Sequence, residues 1–116
     1  MAKFKSAFWD DLETELQDPE LAALFYLERE RIQMVDRIIN QLDQIREQSS
    51  ISKADLARRL NTEPSNVRRL FTAKKRNPTA NNLAEIALAF GYELQLVPLS
   101  AAKQKKIKKA FATQSA

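Results

Sequence analysis

An all-α fold of about five helices, closed by one short C-terminal strand, follows from three observations. Apolar residues recur at spacings of three and four over most of the 116 residues. Helix-start signals stand in front of those stretches at Ser6, at Asp18-Pro19, at Ser52 with Asp55, at Thr62 ahead of Pro64, and at Thr79. Only after Gly91, the single glycine, does the period fall to two: Tyr92, Leu94 and Leu96 alternate with Glu93, Gln95 and Val97 until Pro98.

Phe8, Leu12 and Leu16 behind Ser6 read as a short amphipathic helix. Asp18 is a good N-cap, Pro19 is tolerated at the first helical position and Glu20 suits the positive helix end, so a second helix starts at Pro19. Nothing breaks it before Ser49, and Ile32, Val35, Ile39, Leu42 and Ile45 form its apolar stripe. Periodicity leaves open whether residues 19–48 are one helix or two with a bend near residues 28–31. Ser52 and Asp55 make a capping box for a helix reaching Leu60. Thr62 is the expected cap of a helix over residues 63–72, and Thr79 that of a helix over 80–90, which Gly91 ends in a left-handed conformation.

The strand at 92–97 has no second strand in the chain to satisfy its backbone, so the reading is that it pairs with its twin in a homodimer through Tyr92, Leu94 and Leu96. The alternative is an extended or helical continuation packed on its own chain. The five lysines from Lys103 to Lys109 are expected to be disordered without a ligand, either as a solvated tail or as a basic arm along phosphates. The expected organisation is a helical extension (1–48), a compact helical domain with the strand (49–99) and a basic tail (100–116).

Composition removes several function classes. With neither cysteine nor histidine, the chain lacks disulfides, thiolate and imidazole metal ligands and the commonest general base. One glycine is too few for a phosphate-cradling loop. We therefore expect no enzyme, metal or cofactor. With no apolar run of spanning length and no signal-peptide pattern at the start, no membrane partner and a cytoplasmic location are expected. Charge is divided: residues 1–50 hold 6 basic and 11 acidic side chains (net −5) and residues 51–116 hold 13 and 4 (net +9), summing to +4. Chance fluctuation can produce a split of this kind; its functional reading is a polyanion-binding half joined to a half with another task.

Residues 51–71 place two short helices about two residues apart. Such a turn asks for a small side chain where the helices meet (Ala57), a residue suited to a left-handed turn (Asn61), and a shared core (Leu56, Leu60, Val67, Leu70). This segment resembles the helix-turn-helix of phage Cro and repressor proteins. The likeness runs to Gly91, through Ala54-Asp55-Leu56-Ala57, Val67-Arg68-Arg69-Leu70, Asn77-Pro78-Thr79 and residues 83–91. It implies a lambda-repressor-like core, a DNA-binding regulator and a palindromic double-stranded operator. Members commonly have glutamine where this chain has Lys53 and Pro64, and glycine at Asn61 and Ala73, so the usual adenine-reading glutamine is missing.

With Val67 set at zero and 100° per residue, Leu70 and Phe71 fall on the core side of the second helix. Ser65, Arg69 and Thr72 fall opposite, with Arg68 and Asn66 on the flanks. Ser65, Asn66, Arg68, Arg69 and Thr72 are thus the candidate base readers. The two arginines suit guanine O6 and N7, and the alternative for each is a phosphate. Lys53, Thr62, Lys74, Lys75, Arg76 and Asn77 are the candidate phosphate contacts.

The whole of residues 4–99 also resembles, more loosely, antitoxins of host-inhibition-of-growth toxin-antitoxin operons. That likeness implies a repressor of its own operon that neutralises a small basic ribonuclease toxin. Acidic residues 1–50 suit such a partner electrostatically. Phe4, Phe8, Trp9 and Leu12 are candidate anchors, and packing of Phe8 on the protein's own helix is the competing reading. A stand-alone regulator, with an N-terminal half that only dimerises it or senses a ligand, uses the same DNA-binding residues.

Overall fold

The computed structural model describes residues 17–73 and 77–115. The expected helix at 6–16, with the anchors Phe4, Phe8, Trp9 and Leu12, and the loop residues Lys74, Lys75 and Arg76 lie outside them. The described chain comprises α1 (Pro19–Gln48), α2 (Lys53–Arg59), α3 (Pro64–Thr72), α4 (Ala80–Ala89) and α5 (Ala101–Ser115). It divides into two units, residues 33–97 and residues 1–32 with 98–116.

α1 is one helix throughout, which settles the alternative left by its periodicity. It begins as Asp18 predicts, the carboxylate accepting the amide N–H of Glu20 at 3.0 Å. In the unit 33–97, Ile39 and Leu42 of α1 are buried with Leu56 and Ala57 of α2, Val67 and Phe71 of α3, and Leu83, Ile86 and Ala87 of α4. Val35, Ile38, Ile51, Leu60, Leu70 and Phe90 close the rim. This is the core the spacing predicts, except that Val35, Ile45, Leu60 and Leu70 are only half-buried and Ile32 is exposed.

α1, α2 and α4 end alike. In each, an amide N–H reaches back five residues to a carbonyl: Ile51 to Arg46 (3.2 Å), Thr62 to Ala57 (2.9 Å) and Tyr92 to Ala87 (2.8 Å). The residue before that amide is left-handed, with φ of 57° at Ser50, 53° at Asn61 and 81° at Gly91. These are Schellman endings, which satisfy the last carbonyls of each helix. A Cβ on Gly91 would meet nothing, so only its φ favours glycine. At Asn61, alanine lacks the local hydrogen bonding that eases the left-handed region, and glycine has no Cβ to strain. Asn61→Ala is expected to lower stability by about 1 kcal/mol and Asn61→Gly to stay within about 0.5 kcal/mol, read from urea unfolding midpoints.

The expected strand is not found. Residues 92–100 carry no regular secondary structure, and no strand occurs among the described residues. The alternating pattern is real, but a strand exists only through a partner ladder, and the single chain supplies none. Leu94, Leu96 and Val97 stay exposed, Leu96 fully.

The lysine-rich segment also departs from expectation: it is the helix α5. Ser100 opens it, its hydroxyl accepting the amide N–H of Lys103 at 3.3 Å and its carbonyl that of Gln104 at 2.8 Å. Ala110 is buried, as is Ala23 of α1. Lys103 pairs with Glu30 of α1 at 2.9 Å, and Gln114 shares a cleft with Leu21 and Leu24. α5 thus runs antiparallel to the first half of α1.

Candidate nucleic-acid interface

α2 is set by its capping box. The Ser52 hydroxyl accepts the Asp55 amide N–H at 3.0 Å, and the Asp55 carboxylate accepts the Ser52 amide N–H at 3.3 Å. Hydrogen bonding of the carboxylate with the Ser52 side chain and amide, helped by Arg58, holds the Asp55 carboxyl below its ordinary value of 3.8. A carboxyl lowered on folding contributes stability that is fully present above that ordinary value and is lost as pH falls through the lower folded one. Acid titration followed by circular dichroism should therefore show wild-type stability falling below about pH 3.8, with a shallower fall for Asp55→Asn.

The entry to α2 is clamped by a residue that sequence reasoning missed. Arg46 in the last turn of α1 donates from Nε to Asp43 at 2.8 Å and from Nη1 to the Ile51 carbonyl at 2.8 Å. A basic residue near a helix C-terminus was the available signal, but its target lies beyond the turn. Arg59 of α2 similarly donates to the Ala89 carbonyl at the end of α4, at 3.3 Å.

α3 starts one residue later than its expected cap. Glu63 is the N-cap, without a side-chain cap bond, because Pro64 takes the first helical position. The Thr62 hydroxyl instead accepts the Asn66 side-chain amide at 2.9 Å. At the other end Ala73 leaves the helix in an extended conformation (φ −66°, ψ 143°), so no left-handed residue is needed there. Thr79 caps α4 as expected, accepting the Asn82 amide N–H at 3.0 Å.

Val67 and Phe71 of α3 point inward, and Ser65, Asn66, Arg68, Arg69 and Thr72 are all exposed, as the helical-wheel argument requires. They fall on two sides of the helix. Asn66 and Arg69, with Thr62 and Asn77, line a groove of about 430 Å³ between α3 and α4, where Asn82 and Glu85 of α4 join them. Ser65, Arg68 and Thr72 lie outside that groove. Asn82 and Glu85 were missed; both follow from the spacing of α4, one residue before the inward Leu83 and Ile86. Asn81 donates to Glu85 at 3.0 Å and steadies it. Thr72 donates its hydroxyl proton to the Arg68 carbonyl at 2.6 Å. Among the described residues, neither Arg68 nor Arg69 is paired with a carboxylate. Lys53 is half-buried at the start of α2, and Asn77 is exposed ahead of α4.

Two short helices joined by a tight left-handed turn, the second presenting exposed arginines that have no carboxylate partner among the described residues, form a surface suited to the polyanionic groove of a duplex. No curated protein and no solved structure matches the chain. The family model described as Helix-turn-helix matches residues 42–97, from the last two turns of α1 through α4 and just under half of the chain. Residues 42–97 are therefore a helix-turn-helix domain of the kind found in DNA-binding transcription regulators.

Proposed function

We propose that the domain is a sequence-specific repressor that lays α3 in the major groove, with Arg68 and Arg69 reading guanines. The observation that carries this reading is the exposed arginine pair on the second helix of the motif. Hydrogen bonds within the domain support distinct roles for the neighbours. Thr72 has spent its proton on Arg68, so toward a base it only accepts, which suits the amino group of adenine or cytosine. Thr62 accepts from Asn66 and keeps its own proton, which suits a phosphate. Ser65 and Asn66 complete the base-facing set; Lys53, Asn77 and the loop residues Lys74, Lys75 and Arg76 hold phosphates.

Two further parts belong to the proposal. The exposed residues 92–97 pair with the same residues of a second copy, giving a symmetric homodimer that reads a palindromic operator. The acidic N-terminal half, with Phe4, Phe8, Trp9 and Leu12 as anchors, binds and neutralises a small basic ribonuclease, making the chain an antitoxin that regulates its own operon. Selection of sites from a random duplex pool tests the first part. The expected product is a two-fold symmetric site with half-sites about 10 bp apart, and enrichment of no sequence defeats the proposal. Co-expression with small basic proteins from adjacent reading frames tests the last: if none co-purifies or is neutralised, the chain is a stand-alone regulator.

A further inference from the structure

α5 carries an electrostatic arrangement that the described residues do not satisfy. Ala110, Lys103 and Ile107 face α1. At 100° per residue, Lys105, Lys106, Lys108 and Lys109 occupy roughly 160° of the opposite circumference, and all four are exposed. Among the described residues none of the four has a carboxylate partner; the pair with Glu30 belongs to Lys103. α5 itself contains no acidic residue.

Lys105/Lys108, Lys105/Lys109 and Lys106/Lys109 are like charges at helical neighbour spacings, which destabilise a helix. Lys103, Lys105 and Lys106 also lie toward the N-terminal end, where the helix dipole disfavours cations. Both costs are relieved by an anion along the outer face. A row of flexible ammonium groups, each a point charge, fits successive phosphates without reading sequence.

We infer that the outer face of α5 is a second, sequence-independent DNA-binding surface, whose four lysines grip the phosphate backbone of duplex DNA. The inference rests on the DNA-binding reading of residues 42–97, since that domain brings the chain to a duplex. Charge complementarity with a chain already engaged on DNA favours that occupant over a lipid headgroup or single-stranded RNA.

The test uses the full chain and a mixed-sequence duplex of about 30 bp, long enough for nearly three helical turns, with affinity measured against salt. Each released phosphate contact contributes about 0.9 to the slope of log K against log salt, so K105Q/K106Q/K108Q/K109Q should reduce that slope by about 2 to 4. The lysine-to-arginine quadruple variant should retain it, and both should keep wild-type helical dichroism. A reduction below about one overturns the proposal. So does an unchanged DNA slope accompanied by lost binding to anionic phosphatidylserine vesicles or to single-stranded RNA. R68A/R69A separates the two readings: it should remove most of the sequence preference while leaving the slope difference between the α5 variant and its parent in place. Preference that survives R68A/R69A counts against base reading by α3 and leaves the slope test of α5 standing.

Discussion

Alanine at both Arg68 and Arg69 should remove most of the domain's preference for its selected operator over a scrambled duplex while leaving its fold intact. Each bidentate arginine-guanine pair discriminates by about 1 to 3 kcal/mol, so losing two should compress the preference at least about thirtyfold. The fold should survive because both side chains are exposed on α3 and break no ion pair among the described residues. Competition binding on selected and scrambled duplexes gives the preference, and thermal unfolding gives the control. The single variants sort the two roles. Arg69 lines the groove beside Glu85 and Asn82, whereas Arg68 stands outside it. Lys53→Ala is the contrast, expected to weaken all duplexes alike. Equal loss on both duplexes for R68A/R69A would falsify base reading.

Leu56→Ala should be the most damaging single substitution to stability. Leu56 is wholly inaccessible, and its side chain sits in the cluster shared by all four helices of the unit. Truncating a buried leucine costs about 2 to 5 kcal/mol through lost transfer free energy and the cavity left behind. A unit of this size has roughly 3 to 10 kcal/mol in all, so the variant should be substantially unfolded at moderate temperature. DNA affinity should fall in proportion to the folded fraction, and excess operator should restore the helical signal by mass action. Leu96→Ala, at a fully exposed site, should leave urea stability of the monomer within about 0.5 kcal/mol. If Leu56→Ala shifts the urea midpoint no more than Leu96→Ala does, the core assignment is wrong.

What the sequence made legible was local. Asp18, Ser52 with Asp55, Thr79, Asn61 and Gly91 each act on backbone within a few residues, and each occurs where its chemistry places it. The exposed surface of α3 was legible for the same reason, since Val67 and Phe71 fix which way the helix turns. The failures involve competition or distance. Thr62 lost its capping role because Pro64 fixes φ at the first helical position and moves the cap to Glu63. Ser50 gives no sign of its left-handed φ, because the demand comes from the ending of α1 rather than from serine. α5 read as a tail because its lysines repel one another locally, while what supports it, Glu30 and the packing of Ala110, depends on partners far away in sequence. Alternation at 92–97 identified a strand-like segment but could not supply the second strand.

The core of residues 33–97 is assembled from four helices consecutive in the chain; the first two joints are tight turns through Ser50 and Asn61, and α4 ends in the same way at Gly91. Such contacts close small loops, so little chain entropy is lost before each is rewarded. Helical domains of this topology refold in roughly microseconds to milliseconds. A domain unfolded by a transient fluctuation therefore regains its folded form on that same timescale, so its unfolded state is short-lived as well as rare.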